Sequence, residues 1–123
     1  MQWFTIALGG ALGAVCRYWV SSSLLPITSF KFPYATLSVN VLGSLFMGML
    51  YVLIVEKGGL PDHARNLLMV GFLGAFTTFS TFSLDAISLW QNGGQFMALT
   101  YVLSSLFLCL LAAIAAIWLT RLF

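Results

Sequence analysis

Charge is nearly missing from this chain. Five Lys or Arg and three Asp or Glu are all that 123 residues hold, where a soluble domain has about a quarter of its residues charged. That excludes an ordinary water-facing surface. Histidine occurs once, as His63, and there is no HExxH, no Cys-x-x-Cys and no serine paired within reach of a histidine. Metal-ligand clustering and an enzyme's nucleophilic machinery therefore both lack their residues. The two cysteines, Cys16 and Cys109, fall in apolar segments and are expected to be small packing residues rather than a disulfide. No apolar run holds a deep glutamate, so proton-coupled export of a cationic drug lacks its usual acidic relay. No basic patch resembles a nucleic-acid surface. The N-terminus also lacks the basic region of a cleaved signal peptide, and residues 2–20 are expected to remain as a span.

What the chain does have is apolar length. Apolar residues make up 61% of it, the mean hydropathy is +1.03, and they come in four blocks, about 2–20, 33–55, 66–89 and 96–119. Each block reaches the roughly 20 residues that a helix needs to cross about 30 Å of hydrocarbon. The expected fold is an all-α integral membrane protein, one four-span domain over residues 1–123. The connectors are short. The first, Ser21 to Phe32, carries Pro26 and Lys31; the second, Glu56 to Arg65, is the most water-like stretch; the third, Gln91 to Gln95, has turn composition and no charge. Trp3, Trp19, Trp90 and Trp118 all sit at block ends, as interfacial anchors do.

Orientation is poorly encoded. Lys57, Arg65 and Arg121 fall on one side of a four-span chain, Arg17 and Lys31 on the other, so the excess of cations that marks a cytoplasmic face is almost absent. Either the count is too small to speak, or the chain inserts both ways and pairs with an inverted copy; the charges leave both open. Gly9 and Gly13, Ser44 and Gly48, and Ala112 and Ala116 put small residues four apart, which permits close helix approach within one chain or between two.

Three polar tracks cross this apolar background. Thr36, Asn40 and Ser44 share one face of the second span. Asn40, seven residues past Pro33, lies about 10 Å into it by helix rise. An amide at that depth needs partners, so Asn40 either joins two helices or donates into a polar conduit. Tyr101, Ser105 and Cys109 repeat the spacing in the fourth span, with Ser104 beside them; hydroxyls there either line a path or bond back to the helix's own carbonyls. The third track is the densest. Residues 71–83, Gly-Phe-Leu-Gly-Ala-Phe-Thr-Thr-Phe-Ser-Thr-Phe-Ser, pack five hydroxyls, two glycines and four phenylalanines into the middle of the third span. Such a run is a poor reason to keep helix going, and a helix broken at mid-membrane offers carbonyl ends to a cation and amide ends to an anion. Phe79 and Phe82, three apart, would project similarly past the break, and a ring presents a partly positive edge. Arg17 and Asp85, the only charges clearly inside the blocks, lie near span ends, where snorkelling and an interface contact are the ordinary roles.

Neutral donors without a fixed positive charge can replace an anion's water without trapping it, which is what a conducting path needs. The residues thus allow a pathway for a small, hard anion. They also allow a non-conducting membrane assembly or, without its membrane glutamate, a small dual-topology exporter.

Gly9-Gly10-Ala11-Leu12-Gly13-Ala14 with Arg17-Tyr18, then Phe32 to Ser44, then Gly71 to Ser83, together resemble the CrcB/Fluc family of bacterial fluoride channels over essentially the whole chain. The resemblance implies two subunits assembled antiparallel, a dual-topology homodimer in the bacterial inner membrane with two fluoride pathways. It implies passive, selective fluoride export that confers fluoride resistance, and no catalytic residue. Asn40 resembles the family's pore asparagine, and Phe79 and Phe82 its paired phenylalanines. Thr81, Tyr101 and Ser105 resemble further lining residues, and Arg17 the arginine near the wide vestibule. Gly74 and Thr77 match positions whose backbone carbonyls hold a central structural Na⁺. Cys109 stands where some relatives have serine or threonine.

Overall fold

The computed structural model describes residues 1–24 and 32–123; Pro26 and Lys31 lie outside them. Among the described residues four helical stretches are long and apolar enough to cross a membrane: Gln2–Ser23, Tyr34–Glu56, Asp62–Gln91 and Gln95–Arg121. They extend the expected blocks by a few residues, because helix continues into the polar ends that composition alone counts as connector.

The first span is α1 (Gln2–Leu24). The second is α2 (Tyr34–Leu50), which widens into a π-helical end, Tyr51–Glu56. The third begins as α3 (Asp62–Arg65), runs through a π-helical segment, Asn66–Leu73, and a single turn, α4 (Gly74–Phe76), then restarts as α5 (Phe79–Gln91). The fourth is α6 (Gln95–Arg121). The turn between α5 and α6 closes in the Schellman manner: Gly94 N–H reaches Leu89 O at 2.9 Å, with Gly93 at φ +83°, where a side chain is disfavoured.

Two pairings dominate the packing, α1 against Asn66–Phe76 and α2 against α6. The small residues explain both. A Cβ at Gly9 or Gly13 would run into the carbonyl oxygen of Leu67 or of Phe72, and one at Gly71 would lie 2.6 Å from Ile6 O. A Cβ at Gly48 would lie 2.5 Å from Ala113 O and 3.1 Å from Ala116 Cβ. The Gly9/Gly13 and Gly48/Ala116 pairs are thus used inside one chain, where backbones approach to dispersion contact without a hydrophobic drive.

Much of the apolar surface of the described residues is uncovered, Leu103, Phe107 and Leu111 on α6 among it. Trp3, Trp19, Trp90 and Trp118 are all exposed at helix ends, the positions of interfacial anchors. Where the ends of the second and fourth spans meet, Arg121 forks onto Glu56 through Nε, at 3.0 Å, and Nη2.

Candidate functional site: a groove at the interrupted third span

The interruption falls inside the hydroxyl run. Thr77 (φ −81°, ψ 158°) and Thr78 (φ −150°, ψ 121°) are extended between α4 and α5. Their own side chains finish both helix ends. Thr77 sends its N–H and its hydroxyl to Leu73 O, at 3.0 and 2.9 Å. Thr78 is the N-cap of α5: its Oγ1 accepts from Thr81 N–H at 3.1 Å and lies 3.2 Å from Ser80 Oγ. A cap of this kind stabilises a helix by about 1 kcal/mol.

The peptide groups of Thr78 are satisfied from another span. Asn40 on α2 accepts Thr78 N–H on Oδ1 at 2.8 Å and donates from Nδ2 to Thr78 O at 2.9 Å. Of the two roles the sequence allowed Asn40, the structure displays the joining one. Its amide has a second N–H beyond that bond, and the residue borders a groove. Three residues on, Gly43 leaves the space that the Thr77 methyl fills, with Phe76 Cδ1 3.4 Å from where a Cβ would stand. Asn40 and Gly43 together seat the break on α2.

In a continuous helix Thr78 N–H would serve the Gly74 carbonyl, and Thr81 N–H that of Thr77. Both amides donate to side-chain oxygens instead. The carbonyls of Gly74, which is exposed, and of Thr77, which is half-buried, are thereby released at the end of the first half-helix.

Beside the break a groove of about 420 Å³ runs between α2, α5 and α6. Asn40, Ser44, Thr77, Thr78, Ser105 and Cys109 give it polar or polarisable atoms, and Phe79 and Phe82 stand at its side. Their ring centroids are 5.4 Å apart at 48°. Phe79 is 75% exposed, whereas Phe82 is only 8% exposed, in one buried cluster with Tyr101, Leu89 and Ala98. Ser105 is 5% exposed, and its hydroxyl has no hydrogen-bond partner among the described residues. A buried hydroxyl in that state costs about 1–3 kcal/mol, so it is available to whatever enters the groove. The N-terminal, partly positive end of α5 opens at the same place.

Other expected site residues stand elsewhere. Tyr101 is fully buried behind Phe82, 5.2 Å between centroids, and its hydroxyl donates to Asp85 Oδ2 at 3.2 Å. Of the track Tyr101, Ser105, Cys109, only the last two border the groove. Thr81 is exposed on α5 away from the groove, and Arg17 is half-buried on α1, which packs on the far side of the third span. Sequence reading missed Thr78, the hinge of the hydrogen-bond set, and the Tyr101–Asp85 bond. The first had a signal in Thr-x-x-Thr at a helix restart; the second depends on how α5 and α6 face each other.

Four apolar spans, with a largely apolar groove that holds a few polar groups where one of them is interrupted, are consistent with a small multi-pass membrane protein of the ion-transport type. Residues 4–117 match the family model for CrcB-like protein, Camphor Resistance (CrcB). The chain is 53% identical over 119 residues to the fluoride-specific ion channel FluC of Saccharophagus degradans, covering 97% of this chain and 89% of that protein. It is 52% identical to FluC of Hahella chejuensis, over 95% of this chain and 92% of that one. With FluC of Magnetococcus marinus it shares 50% over 92% of each chain. The chain belongs to the CrcB family, whose matched relatives are bacterial proteins that bear a channel's name and no enzyme's.

Proposed function

We propose that this chain forms a fluoride channel of the bacterial inner membrane, letting cytoplasmic F⁻ leave passively and so conferring fluoride resistance. The observation that carries the reading is the groove itself, in which an unpartnered buried hydroxyl, an amide and two phenylalanine rings meet at the positive end of a restarted helix. All are neutral donors or partly positive edges. A small, strongly hydrated anion can exchange its water for these groups, and with no fixed cation among them it can leave again. Ser105 and the second N–H of Asn40 would supply hydrogen bonds, Phe79 and Phe82 ring edges. Thr81 and Arg17 would line stretches of the path beyond this groove, and Tyr101, fully buried, would support Phe82 from behind.

Assembly as an antiparallel, dual-topology homodimer fits the near-even charge balance and the exposure of Phe79 and Thr81 on one side of the break. A structural Na⁺ at the dimer centre would rest on the Gly74 and Thr77 carbonyls. The donor set fits: these are the two carbonyls whose helical amides are engaged by Asn40 and Thr78. When bound, the ion would contribute positive potential close to the anion path.

Liposomes loaded with fluoride or chloride test the reading. Purified protein should empty the fluoride vesicles far faster than the chloride ones. Equal rates, or no release, would sink it, and no release would favour a non-conducting membrane assembly.

A further inference from the structure

We infer that Asn40 is a positioning residue for the cation at the break: it creates a carbonyl ligand by taking away that carbonyl's helical donor. The inference deepens the cation reading above and rests on it.

Two side chains act on the backbone at the interruption, and each removes one donor. Asn40 Oδ1 takes Thr78 N–H at 2.8 Å, the amide that would otherwise close on Gly74 O. Thr78 Oγ1 takes Thr81 N–H at 3.1 Å, the amide that would close on Thr77 O. The two residues thus free two carbonyls, those of Gly74 and Thr77. Asn40 does more than break a bond. Its Nδ2 holds Thr78 O at 2.9 Å, so the same amide fixes both faces of the extended residue and keeps it from swinging back into the helix. The Thr77 methyl seated against Gly43, on the same face of α2, prevents the break from sliding along that helix.

Asn40 also borders the anion groove. One side chain therefore touches the anion path with its remaining N–H and shapes the cation's ligands through Thr78. Removing it should damage both sites, and different substitutions should damage them to different degrees.

The test reads Na⁺ binding without reading flux. Lipid-reconstituted protein is titrated with NaCl against N-methylglucamine chloride at constant ionic strength, and the thermal midpoint is followed, since a ligand bound only by the folded state raises it. Fluoride efflux from liposomes is measured beside it. Asn40→Leu frees Thr78 N–H to return to Gly74 O, and the Na⁺ needed for half-maximal stabilisation should rise at least about tenfold, the equivalent of one buried polar interaction. Asn40→Asp keeps an oxygen for Thr78 N–H while placing a carboxylate on the anion path. Because it loses the Nδ2 bond to Thr78 O, its Na⁺ response should be weakened, but less than that of Asn40→Leu, although fluoride efflux is lost. Thr78→Val, which removes the hydroxyl holding Thr81 N–H, should also weaken the Na⁺ response, and Thr78→Ser should restore it; this pair decides if Asn40→Leu fails to fold. Wild-type Na⁺ dependence in both Asn40→Leu and Thr78→Val, with fluoride efflux lost, would overturn the inference and leave Asn40 as a groove donor alone. A wild-type midpoint that ignores Na⁺ would overturn the cation reading and the inference with it, whatever the efflux assay gives for the channel.

Discussion

Up to Phe76 the third span lies backbone on backbone against α1, Gly71 and Phe72 against Gly9, Gly10 and Gly13, with Leu73 and Phe76 buried beside Val39; from Phe79 onward it is held by side chains alone, Phe82 and Leu89 with Tyr101 and Ala98 of α6. The first contact leaves no room for a methyl group at Gly9, Gly13 or Gly71. The second keeps hydroxyls and a mostly exposed ring beside open space. Lipid offers apolar groups no reason to leave it, so helices associate by close packing and by satisfied polar groups. Both halves of the span pack closely, one mainly on α1 and the other on α6, and the satisfied polar groups lie at the break between them, where Asn40 meets Thr78. The first half is packed backbone to backbone, and the second presents hydroxyls beside the groove.

Substitutions can break this division, beginning with the largest effect. Gly13→Ala puts a methyl onto the Phe72 carbonyl. It should destabilise the protein by about 3 kcal/mol or more, because backbone rather than a flexible side chain would have to move; a thermal melt of the reconstituted protein checks this. If the melt is unchanged, the backbone seam is looser than described. The two phenylalanines should separate next. Phe82→Ile is expected from sequence alone to remove a ring edge and spare the assembly, but the buried position of Phe82 adds a packing cost of about 1–3 kcal/mol. Phe79→Ile, at an exposed position, should lower fluoride efflux with little change in melting. Similar melts for the two variants would mean that burial does not distinguish the rings. The smallest change in stability belongs to Ser105→Ala. Deleting a buried hydroxyl without a partner should leave the melt unchanged or slightly raised, while efflux drops about tenfold if that hydroxyl gives the anion one charge-assisted bond. A lower melt with full efflux would make Ser105 part of the packing.

Much of the fold is legible in the sequence, because span length and the tryptophans at the ends are properties of local composition. The interruption is legible too: five hydroxyls in residues 71–83 disfavour helix wherever they are placed. What could not be read is which group satisfies it. Asn40 and Thr78 are 38 positions apart, and their pairing depends on the register of α2 against the third span. Periodicity on α2 gives the face but not the depth. The same gap explains Tyr101. Its spacing with Ser105 and Cys109 aligns them on one helix, yet a partner on α5, Asp85, draws the hydroxyl away from the groove. Small residues four apart were equally ambiguous until Gly9, Gly13 and Gly48 were found against carbonyls of their own chain.

The bond between Asn40 and Thr78 also orders events in time. An open peptide group inside hydrocarbon costs several kcal/mol, so the third span cannot settle in lipid as a bent rod until something answers Thr78. The answering amide is on the preceding span, 38 residues nearer the N-terminus. A chain emerging from the ribosome N-terminus first thus brings the asparagine before the residue that needs it. Circular permutation that synthesised the third span ahead of the second would reverse that order and expose the break to lipid during biogenesis.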